Sequence, residues 1–262
     1  MRDYFELAES MEPIVREAGE KLVPYYGNVE EFKAKADDTW VTELDGRIEK
    51  FLAEQLTELV PEAGIQGEEF GNSGSEERFF LVDPIDGTHH FICGLPFCAV
   101  MVAYVEAGEI RTSSIYNFAE GNYYAATQGR GATCNGEPIA VSERSLANGR
   151  VVLETNDKHD GNWELRKELF SKTRQIQLEG SGHELALVAS GKIEGKVVVD
   201  GFGQAYDFAP GALLVTEAGG VVANVGSDHY DYRNLELIAA NPIVYEELTD
   251  PDNGLFSVMR PG

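Results

Sequence analysis

Leu81-Val82-Asp83-Pro84-Ile85-Asp86-Gly87-Thr88 begins as an apolar run, breaks into two carboxylates three residues apart, and ends in a glycine and a hydroxyl. Together with Phe79-Phe80, its apolar part lacks the alternation of a half-solvated strand and reads as a central strand buried on both faces. Carboxylates at the end of such a strand are hard oxygen ligands suited to Mg2+, an ion that keeps several waters and shares a substrate phosphate. Gly87 and Thr88 open the next segment, where free backbone N–H groups can receive an anion. The stretch reads as the floor of a metal and phosphate site, with an ordinary Asp-Pro turn as the rival reading.

Just upstream, Ile65-Gln66-Gly67-Glu68-Glu69-Phe70 is a second short apolar segment ending in acids, so both acid groups fall at strand ends, where open sheets place their ligands. Before it, Phe5, Leu7, Met11, Ile14, Val15, Ala18 and Leu22 mark an amphipathic helix ending near Pro24 and Gly27. A second helical pattern runs from Val41-Thr42-Glu43-Leu44-Asp45 to Pro61, which puts Asp45 in a first turn, where a capping role alone would explain it.

Downstream, residues 97 to 105 and 110 to 127 read as strands, and Gly129-Arg130-Gly131 with Asn135-Gly136 punctuate a hairpin. The Gly-x-Gly lacks the third glycine and following helix of a dinucleotide fingerprint. After about residue 145 the pattern restarts: strand 151–154, helix 162–172, a short strand at 176–178, helix 182–190 and strand 197–199. Asp207 then starts a helix that stops at Gly219-Gly220, with Pro210 expected in its first turn. By itself Asp207 reads as an N-cap.

The 262 residues are 43% hydrophobic and 10% aromatic, enough to bury one large core or two joined subdomains. No apolar run is long enough to span a membrane. The charged start Met1-Arg2-Asp3-Tyr4-Phe5-Glu6 lacks the apolar core of a signal peptide, so a cytoplasmic location is expected. Cys93, Cys98 and Cys134 show neither disulfide nor zinc spacing and read as small buried hydrophobes. A formal net charge of −24 without a polybasic cluster argues against nucleic-acid and anionic-membrane partners. So acidic a surface fits a salty habitat and a solubility strategy equally. It also means that an anionic substrate must be held by a bound cation.

Glu68-Glu69, Asp83-Pro84-Ile85-Asp86-Gly87-Thr88 and Asp207 through Glu217-Ala218-Gly219-Gly220, in this order, resemble the inositol monophosphatase family of lithium-sensitive, magnesium-dependent sugar phosphatases. The resemblance covers nearly the whole chain. It implies an α/β layered fold, an alternating α-β-α-β-α sandwich, in one domain spanning 1–262 with subdomains of about 1–145 and 146–262. It implies two to three Mg2+ ions: Glu68, Asp83 and the Ile85 carbonyl at one site, Asp83, Asp86 and Asp207 at a second, and a weaker third near Glu68. Asp45 and Thr88 would position the attacking water, with Glu68 beside them. The N–H groups of Gly87 and Thr88 would hold the phosphate, and Asp86, His183, Glu184 and Asp200 would border the substrate.

The implied activity is hydrolysis of a small phosphorylated polyol, with inositol 1-phosphate first and histidinol phosphate second. A 3',5'-bisphosphate nucleotidase, a fructose-1,6-bisphosphatase and a catalytically silent binding homologue are the remaining alternatives. A homodimer is the implied assembly. Lys35-x-Asp37-x-Thr39 and Gly180 to Leu187 look like the histidinol-phosphate and nucleotide branches, whereas Phe91-Ile92-x-Gly94-Leu95-Pro96 looks like the inositol branch. His89-His90, Tyr206 and Glu179 depart from the common pattern, at the pocket rim or the subunit contact, and leave the ligand set intact.

Overall fold

The computed structural model describes residues 3–34, 40–156, 159–174, 182–200 and 203–256. Helix α1 (Tyr4–Leu22) is capped by the Asp3 carboxylate, and its apolar stripe faces inward. An antiparallel strand pair, β1 (Lys33–Ala34) and β2 (Trp40–Val41), precedes α2 (Glu43–Leu59).

Then follow β3 (Gly64–Gly67), β4 (Gly71–Ser73) and β5 (Arg78–Asp86), the short helix α3 (Thr88–Cys93), and β6 (Ala99–Glu106), β7 (Glu109–Asn117), β8 (Asn122–Thr127), β9 (Ala132–Cys134) and β10 (Glu137–Pro138). These strands form one eight-stranded sheet in the order β10-β9-β8-β7-β6-β5-β3-β4. β5 runs parallel to β3 and antiparallel to β6.

A four-stranded sheet takes the rest of the chain, with order β11-β12-β14-β13: β11 (Val151–Glu154), β12 (Gly195–Val198), β13 (Val221–Asn224) and β14 (Leu237–Ala240). Its helices are α4 (Asp160–Lys172), α5 (Glu184–Ala189), α6 (Ala205–Glu217) and α7 (Pro242–Thr249).

Side-chain alternation along the strands sorts these elements into layers. Phe80, Val82, Val100, Val102 and Tyr104 pack on α1 and α2. Their neighbours turn the other way: Ala99, Met101 and Ile115 meet α5 and α6, which also cover Val152, Val198 and Leu237 of the second sheet. The far face of that sheet, Val151, Leu153, Val197 and Ile238, is closed by Leu169 of α4 and by Val244 and Leu248 of α7. The result is the expected five-layer α-β-α-β-α sandwich.

Three local expectations change. β5 continues through the acids to Asp86, and its register against β6 shifts between Asp83 and Asp86; Pro84 lies in this irregular stretch, where a missing N–H is tolerated. Helix α6 begins at Ala205, so Pro210 is interior rather than in the first turn. The helix expected from 182 starts at Glu184. The short strand at 176–178 and Glu179 lie outside the described residues, as do Lys35, Asp37 and Thr39. β13, β14 and α7, whose runs are only four to eight residues long, have no counterpart among the elements expected from sequence.

Candidate active site

Asp83 and Asp86 leave β5, and Asp207 arrives on the first turn of α6. A carboxylate oxygen from each lies within 4.8 Å of the other two. Each acid is held by main-chain donors. Asp83 Oδ1 accepts the Ile85 N–H at 3.0 Å, an Asx-turn that folds the chain back. Asp207 reaches back to accept the Gln204 N–H, as a capping residue of α6. Asp86 accepts twice: from the Gly182 N–H at 2.7 Å on Oδ1 and from the His183 N–H at 2.9 Å on Oδ2. Position 182 has to be glycine, because a Cβ there would fall 1.9 Å from the Asp207 carbonyl oxygen. That close approach brings α6 against the Asp86 cradle.

Three carboxylates so near one another cannot all ionise in a buried setting. Burial first, then the charges of Glu68, Asp207 and Asp86, push the Asp83 carboxyl well above the usual carboxylate range. Asp207 is pushed up to about 8 by burial, Asp86 and Glu68. The same charges act, after burial, to raise the Tyr206 phenol. Such a donor set, all hard oxygen and short of positive charge, fits a divalent cation. Glu68 stands outside the trio but within its electrostatic reach, at the end of β3.

Thr42 and Asp45 form the start of α2. Asp45 Oδ2 accepts the Thr42 N–H at 2.8 Å and the Thr42 hydroxyl at 2.7 Å, so the capping role read from sequence is present. The other oxygen, Oδ1, faces the Thr88 hydroxyl at 3.2 Å. Thr88 Oγ1 also lies 2.9 Å from the Ile85 carbonyl oxygen, and its single hydrogen serves one acceptor at a time. Burial raises the Asp45 pKa against the hydrogen bonds from Thr42 and Thr88. Gly87, at φ 71°, caps α3 and lets Thr88 turn back toward Asp45. Asp45 thus combines capping with a carboxylate oxygen that faces the Thr88 hydroxyl.

Two expected substrate residues, His183 and Glu184, are buried rather than set at a rim. The His183 ring is buried, with Nε2 3.1 Å from Asn117 Nδ2 and Tyr124 packed edge-on. Burial, with Lys192 and Lys196 nearby, lowers its pKa to about 3, so it stays neutral. Its contribution to the site is its backbone N–H. Glu184 is buried and pairs with Lys196 Nζ at 2.9 Å, and the same Nζ meets Glu154 at 2.7 Å. Asp200 adopts a left-handed backbone, φ 63°, and accepts from His159 Nδ1 at 3.1 Å and from Asn162 Nδ2. Those bonds lower its pKa, against the opposing effect of burial.

Glu49 escaped the sequence reading. It is buried on the inner stripe of α2, and its carboxylate accepts the Glu69 N–H at 2.6 Å and the Phe70 N–H at 2.9 Å. It therefore fixes the turn that carries Glu68. The available signal was an acid on the apolar face, between Ile48 and Leu52.

The chain matches the sequence model of the inositol monophosphatase family over residues 3–252. It is 29% identical over 237 residues to a fructose-1,6-bisphosphatase/inositol-1-monophosphatase of Thermotoga maritima, covering 90% of this chain and 91% of that protein. It is 30% identical over 244 residues to a putative Nus factor SuhB of Neisseria meningitidis serogroup B, covering 89% and 92%. Among solved structures, an inositol monophosphatase from Thermotoga maritima superposes with a TM-score of 0.84 at 28% identity, covering 92% of this chain and 94% of that one.

Proposed function

This chain belongs to the inositol monophosphatase family, and from that premise we propose that it is a Mg2+-dependent phosphomonoesterase whose substrate is a small polyol phosphate, inositol 1-phosphate first. The observation that carries the reading is the Asp83–Asp86–Asp207 trio beside the Thr88–Asp45 pair. Asp83, Asp86, Asp207, Glu68 and the Ile85 carbonyl would hold two to three ions. Bound Mg2+ would lower the pKa of water, screen the phosphate and stabilise the leaving alkoxide.

The remaining roles belong to the chain itself. Asp45, fixed by Thr42, orients the Thr88 hydroxyl, and that pair is placed to align a water for in-line attack and to accept its proton. The N–H groups of Gly87 and Thr88, at the start of α3, would bind the phosphate oxygens. With water as nucleophile, no reactive Cys, Ser or His is required.

We place the protein in the cytoplasm as a homodimer, on the strength of the family resemblance. No helix among the described residues is long and apolar enough to cross a membrane. A binding role without turnover is the reading from another class, and the complete acid set supports turnover instead. The test is phosphate release, with and without Mg2+, from inositol 1-phosphate, histidinol phosphate, fructose 1,6-bisphosphate and adenosine 3',5'-bisphosphate. Mg2+-dependent release greatest from inositol 1-phosphate is expected. A far higher kcat/KM for histidinol phosphate would replace the substrate, and no release from any ester would end the phosphatase reading.

A further inference from the structure

Lys196 lies fully buried in β12, and the chemistry above leaves it unused. Its ammonium joins three other elements. Nζ is 2.7 Å from Glu154 Oε2, at the end of β11, and 2.9 Å from Oε2 of Glu184, the first residue of α5. It also stands 5.5 Å from the centre of the Phe208 ring, on α6, within the range of a cation–π contact.

Two of these elements serve the acid trio. Glu184 directly follows His183, and the Gly182 and His183 N–H groups donate to the two oxygens of Asp86 at 2.7 and 2.9 Å. Phe208 directly follows Asp207. The two segments approach as closely as glycine allows: a Cβ on Gly182 would fall 1.9 Å from the Asp207 carbonyl oxygen, and one on Gly211 would fall 2.3 Å from Leu185 Cβ. Those contacts set how near α5 and α6 lie. A side chain that reaches both sets how they are aligned. Packed apolar residues commonly replace a buried charge cluster without loss of stability, so stability alone does not account for a lysine here.

We propose that Lys196 is a positioning residue for the metal site: by tying Glu184 to Glu154 and to Phe208, it holds the Asp86 cradle in register with Asp207, and so sets the spacing of two carboxylates that share an ion. The proposal rests on the metal reading of the acid trio and adds a group that touches neither metal nor substrate.

The experiment measures Mg2+ affinity by calorimetric titration of the folded, metal-free protein, a readout that needs no turnover. Alongside it, the Mg2+ concentration for half-maximal phosphate release from inositol 1-phosphate is recorded. The proteins are the wild type, Lys196→Met, Glu184→Ala, Glu184→Gln and Leu248→Ala. Glu184→Ala frees the cradle while Lys196 stays paired with Glu154, so it spares the fold even where Lys196→Met does not. Leu248→Ala opens a cavity on the far face of the same sheet and reports what lost stability alone does.

Groups that support metal ligands from behind are worth about 10–100-fold in affinity. Lys196→Met and Glu184→Ala are each expected to weaken Mg2+ binding by about tenfold, the lower end of that range. The Mg2+ requirement should rise in step, with kcat at saturating Mg2+ close to wild type. Glu184→Gln keeps an acceptor for Lys196 and should recover most of the affinity, and Leu248→Ala should leave it unchanged. Wild-type affinity in Glu184→Ala or in folded Lys196→Met, or an equal loss in Leu248→Ala, would overturn the positioning role. Mg2+ binding that responds as expected, without phosphate release from any ester, would overturn the phosphatase reading alone. No Mg2+ binding by the wild type would overturn both.

Discussion

The backbone N–H of His183 donates to Asp86 Oδ2 at 2.9 Å, while the His183 ring points into the core toward Asn117. The residue therefore serves the acid trio through its main chain and the core through its side chain. His183→Ala should leave the Mg2+ concentration for half-maximal activity close to wild type and cost about 1–3 kcal/mol of stability, from the cavity and the orphaned Asn117. Asp86→Asn should keep the fold and lower phosphate release by about 10²-fold or more. Kinetics and denaturant melts on the two variants check this, and wild-type activity in Asp86→Asn would sink the metal assignment.

Lys196 is fully buried between Glu154 and Glu184, and burial of the charge is outweighed by the two carboxylates, which raise its pKa. Lys196→Met strands two acids in the interior. Removing one partner of such a network costs about 3–5 kcal/mol. Urea unfolding should show a loss of that size, with part of it recovered in the Lys196→Met, Glu184→Gln double variant. A loss below about 1 kcal/mol would show that the network carries little stability.

Glu49 holds the Glu69 and Phe70 N–H groups and so sets where Glu68 points. Supporting groups of this kind are worth about 10–100-fold in metal affinity. Glu49→Gln keeps one acceptor oxygen and should raise the Mg2+ requirement by the lower part of that range, whereas Glu49→Ala should reach the upper part. The measurement is activity against Mg2+ concentration at saturating substrate, and an unchanged requirement in Glu49→Ala would refute the link.

Asp83 and Asp207 have folded pKa values raised above the ordinary carboxylate value, Asp207 to about 8. Groups raised in the folded state contribute stability at low pH and lose it as pH climbs through the folded value. For the metal-free protein, stability from these acids should therefore decline between about pH 4 and pH 8. A bound cation reverses the penalty, so the rise in Tm on replacing EDTA by Mg2+ should be larger at about pH 8 than at about pH 5. A chain of this size moves about 2–4 °C per kcal/mol, which calorimetry resolves. An equal rise at both pH values would contradict the electrostatic account.

Much of this was legible in the one-dimensional pattern. Helices α1 and α2 are long and strongly periodic, and β5 is an unbroken apolar run, so local signals dominate there. The start of α6 is hidden in the sequence because Asp207 carries an N-cap signal while sitting at the third helical position. β13, β14 and α7 carry little local signal because they are short, and β13 and β14 are held by pairing with each other more than by their own propensity.

The sequence by itself marked Asp83 and Asp86 as hard oxygen donors at one strand end, and only its resemblance to the family joined Glu68, Asp207, Thr88 and Asp45 to them as expected partners. Residue type and spacing carry the first part of that information before any folding. The tertiary structure alone decided who supports those groups and who stands aside. Asp86 is held by amides 96 and 97 residues away, Glu49 reaches 20 residues to fix Glu69, and Glu184 is drawn inward to Lys196. Such partners meet only when separate layers pack, and the cost of leaving a buried polar group unpaired selects them.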